Sequence, residues 1–346
     1  MTVEPLFEGR IASVLRRIAI GAVLGVLVWA LADVLLLVFA AIIVAVTLRG
    51  SAVWVSAKTG LPVGWSLALV VIGACAVAGA SLWWGGTSFA EQAGQLREQL
   101  TAQATAIGGE LERSGWTGWL LSGLDQNDLT GGLRTLARGF AGAALTTLNV
   151  IGSIVLVLAT GIYLAIQPGL YRDGFIALLP IPKRRRGGEV LDALDYTLRW
   201  WLIGRAVDML AVVALTLVGL YLLGMPLAFV LAVIAGLLNY VPYIGAIAGA
   251  VPAVLVAFGQ GPTQALWVAL LFVAIQTIEG YLLAPQIQQK TVSLPPAVTI
   301  VSLTVFGALF GLLGLLLAPA LAAVLIVVVR MVYVEDVLGD RASAGP

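Results

Sequence analysis

Seven apolar runs, each about long enough to cross a lipid bilayer as a helix, leave this chain little choice of fold. They are Ile18–Leu48, Leu67–Trp84, Leu145–Ile166, Ala206–Leu223, Leu227–Phe258, Ala265–Leu283 and Ala297–Val329. A bilayer core is about 30 Å thick and takes about 20 apolar residues per helical span. Backbone in lipid must satisfy its own hydrogen bonds, and these Leu-, Val-, Ala- and Ile-rich runs lack strand alternation, so they read as helices. Of the 346 residues, 60% are hydrophobic and 11% charged, and the mean hydropathy is +1.03. Soluble domains carry about 25% charge. The expectation is an all-α polytopic integral membrane protein. It would have about eight helical segments, including broken or re-entrant hairpins, and a small external helical insert.

Two runs exceed one upright helix. Ile18–Leu48 and Ala297–Val329 hold 31 and 33 residues, or about 46 and 50 Å of helix. Asp33 sits halfway along the first, where a charge in mid-bilayer is costly, so two short helices meeting near Asp33 are expected. In the last run Gly307, Gly311 and Gly314 cluster midway, with Pro319 following, which reads as a bend.

Charge divides the rest. Residues 87–139 mix Glu, Asp and Arg with Ala, Gln and Leu, and Ala93, Leu96, Leu100, Ala104 and Ile107 have the spacing of an amphipathic helix. A second polar stretch, 169–205, contains Lys183-Arg-Arg-Arg186. With the termini, the Arg49–Gly64 loop, the basic insert and the Gln286–Pro296 loop inside, 15 of the 19 Lys and Arg are inside and four (Arg97, Arg113, Arg134, Arg138) outside. That bias predicts both termini in the cytoplasm, and it suits the basic cluster better than nucleic-acid binding. The expected organisation is 11–86 as N-terminal membrane helices, 87–139 as the external insert and 140–168 as a membrane helix. A cytoplasmic basic insert (169–205), a C-terminal membrane core (206–334) and a cytoplasmic tail (335–346) follow. Met1–Arg10 has no cleavage site of the kind that ends a signal peptide.

The chemistry available is narrow. There is no histidine, which removes histidine metal sites, histidine bases and Ser-His-Asp triads, and no H-E-x-x-H exists for an intramembrane hydrolase. Cys75 is the one cysteine and sits in an apolar run, so no disulfide forms within the chain. Nothing implies a metal or an organic cofactor.

The most informative stretch is Asn239-Tyr-Val-Pro-Tyr-Ile-Gly245, polar and helix-breaking residues where lipid should be. Pro242 removes a helix hydrogen bond and Gly245 allows a turn. Broken helices at membrane depth form substrate sites in many secondary transporters. A proline kink with packing glycines, Gly245-x-x-x-Gly249, accounts for the same residues equally well. A loose echo, Pro226…Gly236…Pro252-Ala-Val-Leu against Pro296…Gly307…Pro319-Ala-Leu, favours the transporter. Pro252 and Pro319 then join Gly307, Gly311 and Gly314 as expected helix breaks. Gln276 and Glu279 stand one turn apart, and Glu279 is either an ion- or proton-binding group or a helix-end charge. Arg205 and Asp208, three apart, suit an ion pair fixing a span's entry.

Together, Asn239-Tyr-Val-Pro-Tyr-Ile-Gly245, Pro252-Ala-Val-Leu, Gln276-x-x-Glu279 with Ala-Pro285, and Gly311-Leu-Leu-Gly-Leu-Leu-Leu-Ala-Pro319 resemble the autoinducer-2 exporter family of bacterial permeases. The resemblance covers the whole chain. Ala246 departs from it where many members carry proline, and Pro295 where many carry histidine. It implies a multi-pass protein of the bacterial inner membrane, homo-oligomeric and pentameric, exporting a small polar solute. Some members resemble sodium–proton antiporters, so sodium ions or protons join lipid and solute as expected partners. On this reading the breaks at Asn239–Gly245 and Gly307–Gly314 bracket a polar cavity. Asn239, Tyr240 and Tyr243 bond a hydroxylated solute there, and Gln276 and Glu279 line or couple the path. A passive channel or a membrane scaffold is the remaining alternative.

Overall fold

The computed structural model describes residues 30–80, 91–92, 94–96, 98–100, 102, 147–283 and 295–340. Among them the secondary structure is helical. The helices are α1 (Ala32–Thr59), α2 (Val63–Ala80), α3 (Thr147–Ile166), α4 (Pro168–Ala177), α5 (Arg184–Leu222), α6 (Ala228–Leu238), α7 (Ile244–Phe258), α8 (Pro262–Ile278) and α9 (Pro296–Val328). By length and composition four helical stretches are long and apolar enough to cross a membrane, one of them, α9, interrupted at Gly311, and α3 with α4, bent by 85°, counts as a fifth only if the pair is one span. The chain is an all-α polytopic membrane protein.

Proline and glycine set many of the boundaries. Pro168, Pro262 and Pro296 open α4, α8 and α9, where a missing N–H costs nothing. Gly60, with φ 73°, ends α1 and donates its N–H to the Ser56 carbonyl. α1 therefore corrects two expectations. Arg49–Thr59 is helix rather than loop, because Ser51–Ser56 offers no breaker before Gly60. The helix that starts beside Asp33 is also not short: it has 28 residues, about 42 Å. Asp33 lies exposed in its first turn, where the helix dipole favours a carboxylate. Residues 18–29, the other half of that run, fall outside the described residues.

α1, α2 and α3 form one packed group, and α5 to α8 form another, joined through α1, α5 and α9. Small residues let the backbones approach. A Cβ on Gly161 of α3 would collide with Val44 of α1, and one on Gly236 of α6 with Val213 and the Met209 carbonyl of α5. α5 has 39 residues, about 58 Å, so it outreaches the bilayer core. The expected boundary between Arg205 and Ala206 falls inside this single helix.

The two ends of α5 differ. At its start Arg186 binds Glu335 (2.7 Å), Asp336 (3.1 Å) and Glu189 (3.1 Å) and donates to the Met331 carbonyl (2.9 Å). This clamps the C-terminal π-helical turn Val329–Glu335 to α5. At its far end Leu220 packs in a cluster with Met225, Val230, Leu231, Val256 and Val268. Leu96 is buried in that cluster and Leu100 packs against it. So the described part of the polar insert sits at the end opposite the basic residues, while the rest of the insert lies outside the described residues.

Candidate functional site

α6 and α7 are two arms of a helical hairpin. They hold 11 and 15 residues, about 16 and 22 Å, so neither crosses a bilayer core of about 30 Å. Gly249 lies against Ala235, where a Cβ would come within 2.8 Å of the Ala235 Cα. A Cβ on Gly245 would strike the Leu238 carbonyl and the Asn239 backbone. Only glycine fits either crossing. The turn itself is built by Pro242, whose carbonyl accepts from Ile244 N (2.7 Å), and by Tyr243, held at φ 63°. The break expected at Asn239–Gly245 is therefore a chain reversal.

The tip of this hairpin carries a buried polar network. Asn239, 1% exposed, donates from Nδ2 to Asp208 Oδ2 (3.0 Å) and to Glu279 Oε1 (3.3 Å). Arg205 Nη1 donates to the same Asp208 oxygen at 2.6 Å, and Arg205 Nε to the Tyr240 carbonyl at 2.9 Å. Arg205 Nη2 is buried with no partner among the described residues. Three elements thus meet: the middle of α5, the hairpin tip, and the π-helical turn Glu279–Leu283 that follows α8. Arg205, Asp208 and Glu279 together carry a formal charge of −1. Asp208 is buried and the other two are half-buried, so this charge, partly withdrawn from water, is costly unless offset.

The sequence reading placed most of these residues and misread some. Arg205 and Asp208 do pair, yet the pair grips the hairpin tip instead of serving only a span's entry. Tyr240 contributes its carbonyl, and its ring packs edge-on against Trp201 at 6.2 Å between centroids. Trp201 thus stands beside the site. Glu279 joins the network, whereas Gln276 lies exposed on α8 outside it.

α9 reverses as well, at Gly311 (φ 60°, ψ −143°). A Cβ on Gly314 would strike the Phe306 carbonyl, eight residues back, and one on Gly307 would press Leu315 Cδ1 at 3.2 Å. Leu303 and Ala318 share a cluster with Leu315 and Phe306. In a straight helix residues 303 and 318 would stand about 22 Å apart. Residues 296–310 and 312–328 are therefore hairpin arms, with Gly307 and Gly314 as contact points and Gly311 as the break. Pro252 and Pro319 correct the expectation of helix breaks: both are buried inside continuous helix. A proline deletes one hydrogen bond and bends a helix, but reversal needs a backbone conformation that only glycine reaches cheaply.

A cavity of about 490 Å³ lies between the two hairpins. Tyr243, Ile244, Ile300, Leu303, Thr304, Gly307 and Leu315 line it. It sits where the two breaks were expected to bracket one, but its lining is apolar rather than polar. Asn239 turns away into the network, and the Thr304 hydroxyl is spent on the Ile300 carbonyl (2.9 Å). The Tyr243 side chain supplies the remaining polar group. The aliphatic lining residues were unreadable beforehand, since Leu and Ile in a span signal only lipid or packing.

Residues 18–333 match the model of the AI-2E family transporter. The chain is 28% identical over 235 residues to YueF of Bacillus subtilis strain 168, named as a candidate transport protein, covering 64% of this chain and 63% of that one. YrrI of the same organism, likewise named, is 31% identical over 148 residues, 43% of this chain and 42% of its own. YhhT of Escherichia coli K12, also so named, is 36% identical over 107 residues, 31% of each. The chain thus spans less than two thirds of the length of each of these relatives.

Proposed function

Because this chain belongs to the AI-2E family of transporters, we propose that it is a secondary carrier exporting a small polar solute, such as autoinducer-2 or a related molecule, by alternating access. It works in the bacterial cytoplasmic membrane with both termini inside, as a homo-oligomer, expected to be a pentamer, and not as an enzyme. The observation that carries this reading is the buried network at the tip of a broken hairpin: Arg205, Asp208, Asn239, the Tyr240 carbonyl and Glu279. Irregular backbone at membrane depth is tolerated where protein covers it or water reaches it. A polar tip beside a cavity meets that condition and offers a solute both donors and acceptors. Tyr243 stands on the cavity wall, and the Arg205 Nη2 donor is unspent. Movement of one hairpin against the other would open the path to alternate sides.

A second reading, sodium–proton antiport, has its own support in the formal charge of −1 on the buried Asp208 and the half-buried Arg205 and Glu279. A cation or a proton on the carboxylate pair would offset it. Flux of radiolabelled polyols, sodium and protons in vesicles containing the purified chain decides between these. Saturable counterflow of solute supports the carrier. Sodium-for-proton exchange without solute supports the antiporter, and non-saturating leak supports a passive channel.

A further inference from the structure

α3 ends at Ile166, and the chain turns by 85° into α4. α3 has 20 residues, about 30 Å, enough to cross the bilayer core without α4. A short helix leaving the end of a membrane-crossing helix at nearly a right angle runs along the membrane plane. Its residues divide into arcs at 100° per residue. One arc holds Arg172 and Ile176 and faces α5, as does Leu179 in the turn just beyond the helix. Arg172 Nη2 lies 2.8 Å from both Asp192 carboxylate oxygens and 3.4 Å from the Gly188 carbonyl. Leu179 fills the space a Cβ would need on Gly187, and Ile176 borders Gly188. A second arc holds Leu170, Tyr171 and Phe175, which are 65%, 47% and 56% exposed. Leu178, at the C-cap, and Ile181, in the turn that follows, are 83% and 76% exposed. Asp173 lies on the remaining arc.

Cations adjoin the open apolar arc. Lys183 and Arg185 are exposed, and Arg185 Nε approaches Glu189 only to 3.8 Å. Arg184 caps α4 by donating to the Ala177 carbonyl (3.0 Å) and the Leu179 carbonyl (3.2 Å). Of the carboxylates nearby, Asp192 is held by Arg172, Glu189 is shared between Arg186 and Arg185, and Asp173 is exposed on α4 itself.

We infer that α4 and residues 178–185 form an interfacial anchor that docks on anionic lipid. Tyr171, Phe175, Leu178 and Ile181 enter the boundary between headgroups and acyl chains, and Lys183 and Arg185 hold anionic headgroups. Apolar residues alone would suit any lipid. The adjacent exposed cations, Lys183 and Arg185, select the anionic ones. The contacts of Arg172 and Leu179 with α5 pass that anchorage on. They set the depth of the start of α5, and the Arg205–Asp208 pair lies about 30 Å further along the same helix.

The test uses the full chain with Cys75→Ala and Phe175→Cys, labelled with an environment-sensitive fluorophore. It is reconstituted in phosphatidylcholine vesicles containing one third phosphatidylglycerol, with either lipid brominated on its acyl chains at the same mole fraction. Brominated phosphatidylglycerol is expected to quench about twofold or more strongly than brominated phosphatidylcholine. Lys183→Gln with Arg185→Gln is expected to equalise them, since each surface cation is worth a severalfold enrichment of anionic lipid. A label placed by Asp173→Cys is expected to stay unquenched. Absence of quenching at position 175 by either lipid would mean that water or another protein copy covers the arc, and would overturn the anchor. Equal quenching by both lipids without the charge substitutions would overturn the selection of anionic headgroups.

Discussion

Asp208 is 4% exposed and accepts from both Arg205 and Asn239. Removing one partner of a buried ion pair leaves the other uncompensated, which costs about 3–5 kcal/mol. Arg205→Ala is therefore expected to lower the unfolding midpoint in detergent sharply, and Arg205→Met with Asp208→Leu to recover much of the loss. If Arg205→Ala unfolds like the unsubstituted chain, the pair is not the clasp of the hairpin. Glu279 is placed differently. It sits at the edge of the network, half-buried, and meets Asn239 at 3.3 Å. Glu279→Gln keeps an acceptor toward Asn239 and removes a charge, so solute exchange is expected to persist while its response to an imposed sodium or pH gradient disappears. An unchanged gradient response would return Glu279 to a helix-end role. Sequence alone singled out both groups, yet it could not join them. Asp208 and Glu279 are 71 positions apart, and nothing in local spacing says that Asn239 bridges them.

At the scale of elements, the arms of both hairpins cross at glycines with no spare room, Gly245 and Gly249 in one and Gly314 in the other. A leucine at Gly245 would have to occupy the Leu238 carbonyl. Gly245→Leu is expected to abolish flux while the protein still inserts and assembles, read by flux and by size-exclusion profile together. Normal flux would reduce the break to a packing kink. Gly311 has open space around it but φ 60° and ψ −143°. Its constraint is backbone strain, not crowding. Gly311→Ala is expected to cost about 1–3 kcal/mol in denaturant stability. Gly307→Ala, which only asks the end of Leu315 to shift, should cost less. The four candidate breaks of the runs Leu227–Phe258 and Ala297–Val329 looked alike in sequence: Pro252, Pro319 and two glycine clusters. They separate on a physical difference. A missing N–H bends a helix, whereas a positive φ reverses it.

For the whole molecule, the basic end of α5 and the Leu96 end are opposite poles. With Cys75→Ala in place, Gln126→Cys is expected to react with an impermeant thiol reagent in cells stripped of any outer membrane, and Lys183→Cys only after permeabilisation. The reverse pattern would invert the molecule in the membrane.

What the sequence determined by itself is set by the solvent. Runs of Leu, Val, Ala and Ile some 18 to 33 residues long can satisfy their backbones in lipid only as helices, and no neighbour is needed to decide that. Asn239-Tyr-Val-Pro-Tyr-Ile-Gly245 also announced a break, because proline and glycine act on the chain they belong to. Where the broken arms go is another matter. α6 folds onto α7, and 296–310 onto 312–328, because facing glycines let backbones touch. Such contacts, like the bridge from Asp208 through Asn239 to Glu279 and the apolar wall of the cavity, depend on pairs of residues distant in sequence. Only tertiary structure decides those, since local propensity carries no information about which distant side chain arrives opposite.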